Sequence, residues 1–425
     1  LSDLALDRPM NRLLNGDVGS GKTAVAALAL HAVSLSGHQS ALLAPTEVLA
    51  RQHFESLSRL FAHTHFQIAL YTKSYQLLDG EKVSKKTLLS ALAAGIPSIV
   101  IGTHALLEDK VSFRSLALVV VDEQHRFGVS QRAKLQEESF RSDDGRLESV
   151  PHFLAMTATP IPRTLSLACF GNLDISLLNE MPKNRKPIIT KVARNHADRT
   201  KIEDFIRQEI KKGRQAFIIF PLVETSLALK DVKAAVAEHE TLEKKIFPDL
   251  KIGLIHGKMK SQEKEAMMKA FQERAFDILV ATSVVEVGID IPNASVIVIE
   301  EADRFGLSQL HQFRGRVGRG DHQSYCFLIP GEHASLENAR LEALEKSADG
   351  FHIAETDLAL RGPGSFFGTR QSGFPDVAME SLTNLKLISL ARTEAETLLA
   401  ADPSLERHPL LRQSLARFTA RVHME

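Results

Sequence analysis

The chain has 425 residues, 44% hydrophobic and 24% charged, the mixture of a folded assembly of a few domains and not of a disordered chain. Its 52 Lys and Arg balance 52 Asp and Glu, which excludes a histone-like or tail-driven nucleic-acid binder; any grip on phosphate backbone has to come from local basic surface. Two cysteines make neither a zinc site alone nor a secreted disulfide framework, and no run of about 18 uncharged apolar residues offers a membrane-spanning helix.

In chain order, nearly continuous apolar runs at 12–15, 40–44, 67–71, 98–102, 116–121 and 152–156 read as buried parallel strands. Helical stretches at 22–35, 47–61 and 84–94 lie between them, and strand–helix alternation of this kind predicts a parallel sheet covered on both faces. Residues 181–214 carry eleven Lys or Arg against four Asp or Glu, which reads either as a solvated linker and helix face or as a phosphate-facing surface. The alternation then restarts, with strands at 215–220, 252–256, 277–281, 295–299 and 324–329 and helices at 225–238, 261–273 and 307–316. No letter-level repeat links the two halves. From about Ser335 the pattern turns helical (335–347, 353–360), passes through a Gly-rich loop and ends in a helix over 382–400. The expected architecture is α/β: two tandem parallel-sheet lobes, 1–180 and 181–334, and a C-terminal helical segment and loop, 335–425. Cys169 and Cys326, in apolar surroundings, read as reduced core thiols. The chain opens on Leu1 with motif chemistry almost at once and no signal peptide, so a fragment lacking an N-terminal part is expected.

Three motifs carry chemistry. Gly16-Asp17-Val18-Gly19-Ser20-Gly21-Lys22-Thr23 fits G-x-x-x-x-G-K-[ST] between a strand and a helix. Its glycines let backbone N–H groups turn inward around phosphate oxygens, the helix N-terminus adds the positive end of a dipole, Lys22 reaches the β/γ-phosphates and the Thr23 hydroxyl can ligate Mg²⁺. Val119-Val120-Val121-Asp122-Glu123-Gln124-His125 supplies the natural second half of such a site. A carboxylate closing a buried strand needs a partner, and Mg²⁺ on Asp122 is one, leaving Glu123 to polarise an attacking water as general base. Gln309-Leu310-His311-Gln312-Phe313-Arg314-Gly315-Arg316-Val317-Gly318-Arg319-Gly320 is the third element. Guanidinium forks match phosphate geometry, and an arginine supplied across a cleft is worth about 10³–10⁵ in phosphoryl-transfer rate where it is used. Its arginines are therefore candidates to act on the same reaction from the second lobe. A fourth segment, Arg361-Gly362-Pro363-Gly364-Ser365-Phe366-Phe367-Gly368-Thr369-Arg370-Gln371-Ser372-Gly373, combines four permissive glycines with the donors Arg361, Arg370 and Gln371.

At these residues the chain resembles superfamily 2 helicases and translocases, built from two RecA-like lobes. Ala44-Pro45-Thr46-Glu47-Val48-Leu49-Ala50 and Gly102-Thr103-His104 are similar to that family's first-lobe DNA-contact motifs, and Thr157-Ala158-Thr159-Pro160 to its coupling motif. Ala281-Thr282-Ser283-Val284-Val285-Glu286-Val287-Gly288-Ile289-Asp290 resembles the second-lobe motif that touches both nucleotide and nucleic acid. Within the superfamily the Asp-Glu-Gln-His box running on into Arg126-Phe127-Gly128-Val129, residues 156–163 and residues 301–309 resemble the RecG family of branched-DNA helicases. The Arg361–Gly373 segment looks like the translocation motif that this family shares with transcription-repair coupling factors. The resemblance implies ATP and Mg²⁺ as cofactors, with Gly288 and Asp290 near the nucleotide and Gln312, Arg316 and Arg319 acting on it from the second lobe. It also implies DNA contact or coupling at Thr46, Thr103, His104, His125, Thr157, Thr159, Arg361, Arg370 and Gln371. Its implied partners are duplex and branched DNA, met at stalled forks and Holliday junctions, with single-strand binding protein as a further candidate. A monomer in a bacterial, nucleoid-associated cytoplasm goes with it. The family's upstream adenine-reading motif and its N-terminal wedge domain have no counterpart in these residues. The alternatives are a transcription-repair coupling translocase and a nucleotide-gated DNA-binding module with little turnover.

Overall fold

The computed structural model describes residues 1–6, 8–124, 150–158, 173–178, 186–221, 236–282, 291–331, 338–361 and 385–421. The first sheet contains β1 (Asn11–Gly16), β2 (Gln39–Leu43), β3 (Ile68–Tyr71), β4 (Gln76–Leu78), β5 (Glu81–Lys82), β6 (Ile99–Gly102), β7 (Leu116–Val121), β8 (His152–Thr157) and β9 (Asp174–Leu178), in spatial order β5-β4-β3-β6-β2-β7-β8-β1-β9. The second contains β10 (Ile189–Val192), β11 (Gln215–Phe220), β12 (Ile252–Ile255), β13 (Ile278–Thr282), β14 (Ala294–Ile299) and β15 (Tyr325–Leu328), all parallel, in order β10-β15-β14-β11-β13-β12. Setting aside the antiparallel β4–β5 ribbon and β9, the six core strands of both sheets run third, fourth, second, fifth, sixth, first. The halves are therefore topological repeats, although their letters show no repeat.

Each strand feeds two cores because successive side chains alternate across a sheet. Leu42, Val120 and Leu154 pack with α1 (Lys22–Leu35) and α2 (Glu47–Leu60), while their neighbours Ala41, Val119 and Val121 pack on the opposite face with α3 (Lys85–Ala94). In the second sheet Ile219, Ala281 and Ile297 face α5 (Ser261–Gln272) and α6 (Leu307–Arg314), whereas Ile218, Val280 and Val296 face α4 (His196–Lys211). The lobes also share a polar clamp. Gln39, at the start of β2, donates to Leu92 O and Pro97 O, and Gln215, at the start of β11, donates to Phe271 O and Phe276 O. Each pins a helix–strand loop to the end of its sheet. Beyond the second sheet come α7 (Ala339–Lys346), α8 (Gly350–Arg361), α9 (Leu385–Ala401) and α10 (Pro409–Arg421). Arg392 of α9 returns to the first lobe, 3.2 Å from Asp174 of β9.

Several elements differ from the sequence reading. The β4–β5 hairpin, β9 and α10 were not expected. The hairpin turn is Asp79-Gly80, both with positive φ (48° and 87°), the backbone that a two-residue turn needs and that this dipeptide tolerates. Over its described part the basic stretch 181–214 is a strand and a solvated helix face, not a linker, and its cations are largely paired. It contains β10 and α4, and Lys191, Arg194, Arg199, Lys201, Arg207, Lys212 and Arg214 each lie within 4 Å of a carboxylate. Most of the predicted helix 225–238 falls outside the described residues. Of the two cysteines Cys169 does too, and Cys326 is a fully buried core thiol, pushed up to about 12 by burial.

One buried charge gives the fold a pH dependence. Glu300, just past β14 and 7% exposed, accepts from Arg199 Nη2 at 2.9 Å. Burial pushes its carboxyl up to about 7; Arg199 opposes the shift, and Glu238, Glu203 and Glu301 add to it. An unfolded Glu titrates near 4.5. Between these values the folded chain holds a proton that the unfolded chain has lost, so stability falls as pH rises from 4.5 to 7 and levels off above, by on the order of 3 kcal/mol. Glu300→Gln keeps an acceptor for Arg199 and has no proton to lose. It is expected to stabilise the second lobe clearly at pH 8 and little near pH 4.5, read by denaturant unfolding at both. An equal effect at the two pH values would show that Glu300 stays ionised in the fold.

Candidate active site

The sequence motifs converge at the carboxyl ends of the parallel strands, where α/β sheets place their ligand crevices. β1 ends at Gly16, and the loop to α1 turns through Gly19 and Gly21 at φ 83° and 92°, a left-handed backbone that a side chain would strain. Gly21 caps α1, whose first turn contains no acidic residue, so a free helix N-terminus faces the crevice. Lys22 Nζ donates to Gly16 O (2.7 Å) and Asp17 O (2.8 Å), folding the loop over its own ammonium. Burial lowers that ammonium's pKa; Glu123, Asp122 and Asp17 pull the other way, and Arg319 adds to the depression.

Asp122 follows β7, its N–H donating to Leu43 O at 2.8 Å. Burial alone would raise its carboxyl, but His53, whose Nε2 lies 2.8 Å from Oδ2, and Lys22 outweigh it and hold Asp122 below the usual carboxylate range. Glu123 is the opposite case. Burial and the neighbouring Asp122 raise it, against Lys22 and Arg316. Its backbone sits at φ 51°, strained for a side-chain-bearing residue, with its N–H on Asp122 Oδ1 at 3.0 Å.

The second lobe closes the crevice. A methyl added to Gly315 would sit 2.9 Å from Val18 Cβ, so the arginine-bearing segment and the phosphate loop touch with no room for a side chain between them. At the back, Glu265 of α5 accepts from Tyr75 Oη at 2.5 Å and pairs with Arg51 of α2. Between the lobes lies a cavity of about 280 Å³. Gly19, Gly21, Lys22, Thr23, His53, Asp122 and Glu123 line it from one side, and Arg316 and Arg319 from the other. Three cations and a helix N-terminus face two carboxylates, an arrangement suited to a polyphosphate carrying a divalent cation. Gln312 Nε2 and Ser20 Oγ are buried with no protein hydrogen-bond partner among the described residues, but neither residue lines the cavity. Among the described residues no cluster of three or more His, Cys, Asp or Glu could hold a metal on its own. Thr23 and Asp122 fit Mg²⁺, which takes one or two protein ligands and shares the rest with phosphate.

The residues assigned to DNA are more dispersed. Thr46 caps α2, its Oγ1 accepting from Leu49 N–H at 3.3 Å. Thr103 is buried and caps the short turn His104–Leu107, and His104 is exposed. Thr157 is buried at the end of β8, in register with Asn15. His125, Thr159, Gly288, Asp290, Arg370 and Gln371 lie outside the described residues, and Arg361 ends α8. The sequence reading missed His53. Its signal was a polar residue in the helical register of Leu49, Ala50 and Leu57, the buried face of α2.

Two parallel sheets of one strand order that share a phosphate-loop cavity closed by arginines have the architecture of superfamily 2 helicases. Residues 4–167 match the DEAD/DEAH box helicase family and 199–321 the helicase conserved C-terminal domain. Residues 347–417 match the C-terminal part of domain 3 of the ATP-dependent DNA helicase RecG. The chain is 50% identical to the RecG helicase of Synechocystis over 98% of its own length and 48% of the relative's. It is 47% identical to that of Bacillus subtilis over 94% and 57%. A solved structure of RecG bound to a three-way DNA junction superposes with a TM-score of 0.71 at 40% identity, covering 91% of this chain and 48% of that one. A yeast Dbp5 structure, at 18% identity and a TM-score of 0.56, shares the fold. Over the motor and C-terminal region that it spans, the chain belongs to the RecG family; it covers about half the length of the curated relatives it matches.

Proposed function

We propose that this chain is the motor of an ATP-driven DNA helicase that remodels branched DNA. The carrying observation is the single cavity to which Lys22, Thr23, Asp122 and Glu123 come from one lobe and Arg316 and Arg319 from the other. In this reading ATP is the substrate. Lys22 and the loop N–H groups hold its phosphates, and Thr23 and Asp122 hold Mg²⁺, which neutralises phosphate charge. Glu123, made more basic by burial, takes the proton of the attacking water. Arg316, Arg319 and Gln312 meet the charge that develops in the transition state, and because they sit on the other lobe, turnover requires a closed cleft. In this reading Thr46 and the exposed His104, near the ends of neighbouring strands, meet DNA on an adjoining surface, while Thr103 and Thr157, both buried, act through their neighbours. The units are 1–180, 181–334 and 335–425. The match of 347–417 to the RecG domain favours forks and junctions over transcription-coupled repair. Among the described residues no helix is long and apolar enough to cross a membrane; the bacterial relatives carry the proposal of a bacterial cytoplasmic location.

Phosphate release by the full chain, measured without DNA, with linear duplex and with a three-way junction, tests the reading. Turnover is expected to rise with DNA, most with the junction. DNA affinity should fall with salt with a log–log slope of roughly −3 to −6, a handful of phosphate contacts on an otherwise neutral chain. Turnover indifferent to every DNA would replace the motor with a nucleotide-gated binding module.

A further inference from the structure

The helix that leads into the arginine segment, α6, also reaches the phosphate loop through a side chain with no place in the chemistry above. His311, on α6 and 3% exposed, has its Nε2 2.6 Å from Asp17 Oδ1 across the cleft. Its Nδ1 lies 2.8 Å from Arg314 Nη2. A guanidinium only donates, so Nδ1 is the acceptor and the ring proton sits on Nε2, donated to the Asp17 carboxylate. Arg314 cannot turn away, because its guanidinium is held by Leu344 O (3.1 Å), Ser347 O (2.7 Å) and Ala348 O (3.0 Å) at the end of α7. Asp17 is gripped at both ends: its Oδ1 also accepts from Val18 N–H at 2.6 Å, and its carbonyl accepts from Lys22 Nζ.

We propose that His311 is a positioning residue for nucleotide binding: as a neutral Nε2–H donor fixed by Arg314, it holds Asp17 from the opposite lobe and so sets the phosphate loop and Lys22 for ATP. The inference rests on reading the cavity as a nucleotide site. It makes the loop's shape depend on the second lobe, so that the first lobe's affinity for ATP is set by cleft closure. The hydrogen bond is buried at both ends, and losing a buried bond to a charged partner changes an equilibrium by about tenfold or more.

Two variants of the full chain separate the ring's two contacts. His311→Gln places an amide N–H where Nε2–H was and keeps the donor to Asp17. His311→Asn keeps an acceptor for Arg314 and loses that donor. His311→Asn is expected to raise the KM for ATP about tenfold, with a smaller fall in kcat, while nucleotide-free DNA binding and thermal midpoint stay at wild-type values. His311→Gln is expected to restore KM to within about threefold. Equal impairment of both variants, or a KM for His311→Asn within twofold of wild type, would overturn the proposal. Loss of KM, DNA binding and thermal midpoint together would also overturn it and make His311 a packing residue. Wild-type chain that releases no phosphate from ATP would instead sink the nucleotide-site reading itself.

Discussion

Lys22→Ala is expected to lose ATP turnover by on the order of 10²–10³-fold or more while the fold stands. Among the described residues the side chain's hydrogen bonds go to the carbonyls of Gly16 and Asp17, at 2.7 and 2.8 Å, and because Lys22 lines the open cavity water can take the place of the ammonium. No apolar core depends on it, since the cores of this lobe are the strand residues and the buried faces of α1, α2 and α3. Among the described residues the other cations of the cavity, Arg316 and Arg319, come from across the cleft, so none in the first lobe replaces the charge. Phosphate release and thermal midpoint measured on one preparation check both halves of the expectation. Turnover at the wild-type level would remove the loop from the chemistry. A midpoint lowered by many degrees would make Lys22 a structural residue, closing the loop over itself.

What could be read from the sequence follows the range of the physics involved. Buried parallel strands advertise themselves because both faces are apolar, and Val119, Val120 and Val121 are each fully buried. The phosphate loop was legible because cradling an anion with backbone N–H groups needs glycines and a lysine at fixed local spacing. Elements whose order comes from neighbours were not legible. β9 is half-buried along its whole length and stands beside β1 only because the sheet has an open edge there. β4 and β5 are three and two residues long, too short for any period to show, and only Asp79-Gly80 marked them. The basic stretch stayed ambiguous because net charge says nothing about which cations are already paired; Glu209 alone takes two, Lys212 and Arg214. In the site, each motif could be recognised singly, but not the contacts that join them. His53 and Asp122 are 69 positions apart and His311 and Asp17 are 294 apart, and a hydrogen bond over such separations is a property of the packed lobes.

Glu123→Gln separates binding from chemistry in the same cavity. The amide keeps the side chain's size and can still accept from Ala158 N–H, which lies 3.5 Å from Oε2, so the local backbone at φ 51° has no new reason to move. What changes is basicity. Burial and the adjacent Asp122 raise the Glu123 carboxyl, and a more basic carboxylate is a better acceptor for a proton of water; an amide has no such capacity. Asp122, pulled the other way by His53 and Lys22, keeps its charge and its claim on Mg²⁺. The expected result is ATP·Mg²⁺ bound at near wild-type affinity and turned over about 10²–10⁴-fold more slowly. Removing one negative charge beside bound phosphates should, if anything, tighten binding slightly. Because the arginines of the second lobe meet a substrate that is not consumed, the variant should dwell in the closed state, and its DNA affinity with ATP should outlast that of wild type as nucleotide is spent. Equilibrium nucleotide binding and single-turnover phosphate release decide the matter. If affinity for ATP·Mg²⁺ collapses along with turnover, Glu123 holds the metal or the loop, and the base must be sought elsewhere in the cleft.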